Sequence, residues 1–344
     1  MKRRAAVLGA SGFAGGELLR LLGGHPDIEV VAAAASKQVG RPLGEVYPWL
    51  RSHTGLRFVS VEEALANAPD IVFCSLPHGH SMEIFSRAGG PRVVDLGGDF
   101  RLHNPALYPQ WFGREHAHPE LLDGWVYGLT EWHRPQVRSA DRVANPGCYP
   151  AACILALAPL LAGGSVRPTG IHIDAKSGVS GAGRAGGEGF DFSSSNENLR
   201  PYSVTAHKHI AEIEQELSEV ARSPVTVSFV PHLVPMTRGL LATCIAELST
   251  DATSEELIET MQERYGGERF IRVLGTDALP ETRRLSGTNR AEVSVRVDPR
   301  TGRAIAICAL DNLGKGAAGQ ALQNANLMLG FDEDTALSTT GMWP

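Results

Sequence analysis

"AVLGASGFAGGELLRLL", residues 6–22, decides the fold. A short apolar segment runs into glycines at positions 9, 12 and 15, spaced G-x-x-G-x-x-G. The chain then places Leu18, Leu21 and Leu22 on one helical face, and Gly23-Gly24 stops that helix. A strand, a tight glycine turn and a helix in this order present backbone N–H groups at a helix N-terminus, facing an anion. By itself such spacing marks a turn; between a strand and a helix it reads as a dinucleotide-binding turn.

Working outward, "IEVVAAAAS" (28–36) reads as a second strand, "EEALANA" (62–68) as a short helix, and "DIVFCSLP" (70–77) and "RVVDLGG" (92–98) as further strands. Alternation of strands and helices predicts a parallel sheet with helices on its faces. After residue 150 the texture changes. "ACILALAPLLAGG" (152–164) reads as a helix, followed by the strand-like runs "GIHIDAKSG", "VTVSFVPHLVP", "GLLATCIAEL", "AEVSVRVD" and "AIAICALDNL". These predict a mixed or antiparallel sheet. The fold expected is α/β: a Rossmann-type, doubly wound parallel sheet over 1–147, plus an α+β catalytic domain over 148–313. "GKGAAGQALQNANLMLG" (314–330) reads as a Gly/Ala-rich helix, so 314–344 is assigned back to the first domain. The loop 177–200 is functional or unstructured by its length, and the neighbouring "HKH" favours function.

The end of the second strand, "AAAASKQVGR" (32–41), carries no acid to hold a ribose 2′-hydroxyl. Ser36, Lys37 and Arg41 stand there instead. A hydroxyl and cations suit a 2′-phosphate, so NADP(H) is favoured over NAD, the alternative being an ordinary solvated loop. "GKGAAGQA" lacks the spacing of a nucleoside-triphosphate loop.

The 344-residue chain has a formal net charge of −6 and five cysteines. No long basic run points to nucleic acid. The apolar stretch "CILALAPLLA" falls short of the roughly 20 residues of a bilayer span. An odd cysteine count without a framework fits a reducing, cytoplasmic setting. Cys74, Cys153, Cys244 and Cys308 lie in apolar runs and read as buried. Cys148 differs. It lies in "NPGCYP" (145–150), directly before a helix, where partial positive charge favours the thiolate. His207 and His209, in "AHKHIAEIEQEL" (206–217), are the candidate acid/base partners. Taken as the start of an amphipathic helix, their i, i+2 spacing makes them face different ways. A thiolate with NADPH defines a reaction: attack on an activated acyl group, a thioester, and hydride reduction to an aldehyde.

"GASGFAGGELLRLL", "SLPHG", "DLGGDFRL", "NPGCYP", "SGVSGAGR", "NENLRPY", "HKHIAEIEQEL", "PHLVPMTRG" and "DNLGKGAAGQA" occur in this order from end to end. In them the chain resembles the N-acetyl-γ-glutamyl-phosphate reductases, NADPH enzymes of arginine biosynthesis within the semialdehyde dehydrogenase group. The resemblance implies Cys148 as nucleophile, His207 as general acid/base and His209 beside a small acyl-phosphate substrate. It implies Gly9, Ser11, Gly12, Phe13 and Ala14 at the pyrophosphate and Ser36 at the 2′-phosphate. Leu76, Pro77, Ser177, Gly178, Asn312 and Gly316 would line the nicotinamide. Arg101 and Arg238 are candidate anion clamps, with structural salt bridges as the alternative. A homo-oligomer, tetramer or dimer, is also implied. The rival readings are a carrier-protein-linked reductase of lysine-type biosynthesis (disfavoured by Tyr149 and Pro150 after the cysteine), an aspartate-semialdehyde dehydrogenase, and a non-enzymatic NADP-binding redox regulator.

Overall fold

The computed structural model describes residues 1–50, 55–86, 90–184 and 190–342. The chain divides into two compact units. The first is built on Met1–Pro146 and Ala317–Leu337, with Gly183 and Arg184; the second takes Gly147–Ala182, 190–316 and 338–342.

The first unit holds seven strands: β1 (Arg3–Leu8), β2 (Ile28–Ala34), β3 (Phe58–Val59), β4 (Ile71–Cys74), β5 (Arg92–Asp95), β6 (Val126–Tyr127) and β7 (Arg142–Ala144). Their order is β3-β2-β1-β4-β5-β7-β6, and every pair is parallel. β4 is buried along its whole length and β1 from Ala5 to Leu8. Continuous apolar runs are what a parallel sheet covered on both faces requires. The strand order reverses between β1 and β4, and in such sheets ligands bind outside the carboxyl ends of the strands at that point.

The helix Gly319–Leu329 belongs to this unit and is buried throughout, though it carries Gln320, Gln323, Asn324 and Asn326. Those amides are paired. Asn324 Nδ2 donates to the Gly128 carbonyl at 2.8 Å and to Asn145 Oδ1 at 3.1 Å, and Gln320 Nε2 donates to Gly128 at 2.9 Å. Burying these groups unpaired would cost about 1–3 kcal/mol each. The helix Thr130–Ser139, against which it packs, is not evident from the sequence. Pro135 lies inside it and His133 departs from helical geometry, so its periodicity is broken.

The second unit carries β8 (Ile171–Gly178), β9 (Arg200–Pro201), β10 (Val227–Val234), β11 (Leu240–Glu247), β12 (Ile271–Val273), β13 (Ala291–Asp298) and β14 (Arg303–Leu310). The order is β12-β13-β14-β11-β8-β10-β9, parallel at β8/β10 and β12/β13 and antiparallel elsewhere. The helices Cys148–Ala162 and Ser254–Tyr265 pack on this sheet, and His209–Ala221 packs on the first of them. Cys148–Ala162 is buried from Tyr149 to Leu161, as suits a helix apolar all round. Ser254–Tyr265 opens on a reciprocal capping box of Thr253 and Glu256. The described parts of 177–200 are ordered, as a 3-10 turn at Val179–Ala182 and a short helix at Phe192–Ser195; residues 185–189 lie outside the described residues.

Candidate active site and dinucleotide turn

In the first unit, β1 ends in Gly9 at φ +76°, a conformation open to glycine and strained for other residues. The Gly12 N–H donates to the Gly9 carbonyl at 3.0 Å, closing the turn. A Cβ on Gly15 would lie 2.5 Å from the Gly9 oxygen and 2.7 Å from Ala10 Cα, so the helix Phe13–Leu22 approaches the turn only because Gly15 is bare. Gly12 caps this helix with no side-chain hydrogen bond, and the first turn holds no acid. Ser11 and Ala14 are half-buried and Phe13 is exposed at this edge. Ser36 and Lys37 are exposed in a 3-10 turn at the end of β2. Arg41 is engaged by Gln38 at 2.7 Å and by Glu45 at 3.3 Å. The residues present fit a dinucleotide phosphate: bare backbone donors, no competing acid, and an exposed hydroxyl and ammonium where an NAD site would place a carboxylate.

Leu76 and Pro77 follow β4, half-buried and exposed respectively. Behind them lies a cluster the sequence analysis did not foresee. The buried Asp99 accepts from the Gly79 N–H at 2.8 Å, the Ser81 N–H at 3.0 Å and Ser81 Oγ at 2.7 Å, and it pairs with His78. Burial works to raise its pKa, but His78, Ser81 and Gly79 outweigh that and hold Asp99 well below the usual carboxylate range. Asp95 shares the Ser81 hydroxyl at 2.9 Å, and burial, with the Asp99 charge, pushes its pKa up to about 6. "SLPHG" and "DLGGDFRL" are thus two halves of one buried network. Arg101 belongs to it: it is buried and donates Nη2 to the Leu96 carbonyl at 2.7 Å.

In the second unit, Cys148 opens the helix Cys148–Ala162 after Gly147, with no side-chain cap and no acid in the helix's own first turn. Pro150 stands in that first turn, where a missing N–H costs nothing. The Gly147 N–H donates to the buried carboxylate of Glu212 at 2.8 Å, which pins the turn to the helix His209–Ala221. A Cβ on Gly316 would lie 2.8 Å from Cys148 Cβ, so glycine there makes room for the thiol-bearing residue. None of the five cysteines forms a disulfide. Cys148 is half-buried and the other four are buried. Burial raises the thiols of Cys74, Cys153 and Cys308 well above their ordinary pKa.

His207 stands in an aromatic box, its ring centroid 5.7 Å from Tyr149, 5.5 Å from Tyr202 and 5.5 Å from Phe229. His209 is 4.6 Å away, so the two rings pack together. This corrects the expectation that they face different ways. The helix begins at His209, and His207 precedes it in a turn with positive φ at Ser203 and Thr205, where helical spacing does not apply. Burial, with the neighbouring Lys208 charge, pushes the His207 pKa down to about 4. Its Nδ1 accepts the His209 backbone N–H at 3.2 Å, so the neutral ring carries its proton on Nε2. Tyr202 Oη donates to Tyr149 Oη at 3.3 Å, and Tyr149 Oη donates to the His232 carbonyl at 3.1 Å. The polar roles of Tyr149, Tyr202 and Glu212 were not evident from the sequence. The signal for Glu212 was present: an acid three residues after His209, on the face where the pattern asks for apolar residues.

Asn312 is buried and links two turns, accepting from the Gly239 N–H at 2.8 Å and donating to Ser180 Oγ at 2.9 Å. Ser177 and Gly178 end β8, and the Gly178 N–H donates to the Gly239 carbonyl at 2.9 Å. Arg238 donates Nη1 to the buried Asp311 at 3.0 Å. Among the described residues no group of three or more His, Cys, Asp or Glu side chains is arranged to hold a metal ion.

Two family models match the chain: the semialdehyde dehydrogenase NAD binding domain over residues 4–140, and the semialdehyde dehydrogenase dimerisation domain over 148–312. The N-acetyl-gamma-glutamyl-phosphate reductase of Symbiobacterium thermophilum is 49% identical over 99% of both chains. That of Pelotomaculum thermopropionicum is 46% identical over 100% of both. The aspartate semialdehyde dehydrogenase II of Vibrio cholerae shares the fold, with a TM-score of 0.73 at 18% identity over 96% of this chain and 99% of that one. A half-buried cysteine opening a helix, a glycine turn in a parallel sheet and end-to-end similarity at this level agree: the chain belongs to the N-acetyl-γ-glutamyl-phosphate reductases of the semialdehyde dehydrogenase family.

Proposed function

We infer that this protein is the NADP-dependent enzyme that reduces N-acetyl-γ-glutamyl phosphate to N-acetylglutamate 5-semialdehyde and phosphate, a step of arginine biosynthesis. The observation that carries the reading is Cys148, the half-buried thiol at a helix start, whose next residue, Tyr149, packs against the His207 ring. The Cys148 thiolate attacks the acyl carbon, the carbon–oxygen bond to phosphate breaks, and a thioester remains. When bound, NADPH supplies the hydride that reduces the acyl carbon. In this reading the His207 Nε2–H donates to the oxygen of the resulting thiohemiacetal. Collapse returns that proton to His207, breaks the carbon–sulfur bond and releases the aldehyde and the thiolate. His207, neutral above pH of about 4, acts here as a proton donor rather than as the base that ionises the thiol; the helix N-terminus favours the thiolate. Of the two arginine candidates, Arg238 is the one we retain as an anion clamp, since Arg101 is buried in its own network.

A homo-oligomer, dimer or tetramer, is part of this reading. One face of the second sheet meets helices, while alternate residues on the other face (Val230, Val234, Leu241, Ile245, Ile305 and Ile307) stay half-buried in a single chain. The face is mixed, since β8 contributes His172, Asp174 and Lys176 to it, and a sheet face that leaves these apolar residues half-exposed suits a second copy. Among the described residues no helix is long and apolar enough to cross a membrane. Five cysteines without a disulfide favour a reducing compartment such as the cytoplasm.

The test runs the reaction backwards, offering the purified protein N-acetylglutamate 5-semialdehyde, phosphate and NADP+. Phosphate-dependent NADPH formation is expected. Its absence would favour the redox-regulator reading. A preference of 100-fold or more for a carrier-linked aldehyde would move the protein to the lysine-type reductases.

A further inference from the structure

The glycine turn of the first unit, 9–16, contains no lysine or arginine. Its backbone N–H groups carry only partial charge, about half an elementary charge at a helix N-terminus, whereas a dinucleotide's diphosphate carries about two negative charges at neutral pH. A full cation is nonetheless present at this turn. Arg184 donates Nη1 to the Ser11 carbonyl at 3.2 Å, and its guanidinium carbon lies 5.4 Å from the centroid of the Tyr47 ring. Tyr47 is in turn fastened to the start of the helix Phe13–Leu22: its hydroxyl donates to the Gly12 carbonyl at 2.7 Å. The ring fits there because Gly16 is bare; a Cβ at that position would lie 2.6 Å from a ring carbon. Tyr47 is buried, and burial raises its pKa with Arg184 opposing, so it stays a neutral donor.

We propose that Arg184, seated on Tyr47 beside the glycine turn, is a binding residue for the cofactor's diphosphate. A guanidinium has five N–H donors in one plane. One donor is used on Ser11 and another bonds the Tyr47 hydroxyl, which leaves the rest of the fork. Arg184 is otherwise exposed, so the remaining donors are available to phosphate oxygens, in the forked geometry that suits them. Gly15 and Gly16 then have separate uses: the first admits the turn and the second admits the tyrosine that carries the arginine. Ser36 and Lys37, at the end of β2, have a different job. They bear on the 2′-phosphate, which only NADP(H) has, while Arg184 bears on the diphosphate, which NADPH and NADH share.

The proposal rests on the glycine turn being the diphosphate site, and the experiment separates the two. Kd for NADPH and for NADH is measured by nucleotide fluorescence on the full-length protein and on Arg184→Gln, Arg184→Lys and Tyr47→Leu. Arg184→Gln is expected to weaken both nucleotides by the same factor, about tenfold, with the loss in kcat/KM carried mainly by KM for the cofactor. Arg184→Lys should fall between, and Tyr47→Leu should lose part of the same factor for both. Unchanged Kd values for Arg184→Gln would overturn the proposal. So would a loss confined to NADPH, because Arg184 would then be reading the 2′-phosphate. Hydrogen exchange of residues 9–16 in the unmutated protein, with and without NADPH, reports on the underlying reading. Protection there with unchanged Kd values sinks only the role of Arg184; no protection sinks the turn itself.

Discussion

The helix Phe13–Leu22 in the first unit and the helix Cys148–Ala162 in the second both follow an extended glycine, Gly12 (φ −78°, ψ 172°) and Gly147 (φ −69°, ψ 155°). Neither has a side-chain cap or an acid in its first turn. Both therefore begin without a cap from their own first residues and with partial positive charge at the start. What is placed there differs. At the first start Gly15 admits the glycine turn and Gly16 admits Tyr47, on which Arg184 is seated beside the backbone donors. At the second start, in the mechanism we propose, the chain supplies the anion itself as the Cys148 thiolate. A turn that binds a nucleotide can be left open; one that must aim a nucleophile is held, here by Glu212 on the Gly147 N–H and by the close approach of Gly316.

The comparison is broken most severely at the second start. Cys148→Ser should abolish turnover, with a loss beyond about 10³-fold, while NADPH binding and the circular dichroism spectrum stay as they were, because serine offers no thiolate at neutral pH. Substantial residual turnover in a sequence-verified preparation would remove the nucleophile from the scheme. His207→Asn should cost about 10²–10⁴-fold in kcat, the usual scale for a positioned proton donor, whereas His209→Asn should act mainly on KM. Exchanged phenotypes would mean that the roles are exchanged.

At the first start, the double change Ser36→Asp with Lys37→Ala should narrow the NADPH/NADH ratio of kcat/KM by about tenfold or more, since a carboxylate repels the 2′-phosphate and accepts from a ribose diol. An unchanged ratio would place phosphate recognition elsewhere. Set beside Arg184→Gln, it separates the two phosphate sites.

The smallest effect expected is on stability against pH. The folded pKa of His207 is about 4 and those of His25 and His116 are also lowered, each chiefly by burial, against an ordinary value of 6.5. Between about pH 6.5 and 4 the unfolded chain then binds more protons than the folded one. This contribution is complete above pH 6.5 and is lost as pH falls towards 4. Asp95, raised to about 6 from 3.8, acts in the opposite sense: its contribution is present at low pH and is lost as pH rises through 6. Denaturant titrations at pH 7, 6 and 5 should show a shallower acid decline for His207→Asn than for the unmutated protein. An identical slope would mean that His207 titrates near its ordinary value.

The local elements and the candidate nucleophile were legible in the sequence because both rest on neighbouring residues. Strand, glycine turn and helix follow within seventeen residues, and Cys148 is marked by the prolines and glycine around it rather than by anything distant. The order of motifs likewise carried the family. Tertiary structure decided what depends on residues far apart in the chain or on non-helical turns. His207 and His209 share one aromatic box because the helix starts two residues later than their spacing implied. Asp99 ties the segment after β4 to the segment after β5, and Arg184 reaches a turn 173 residues earlier. The buried amides of Gly319–Leu329 find partners in Gly128 and Asn145. A buried polar group must be paired, and sequence alone names the group without naming its partner, which folding supplies.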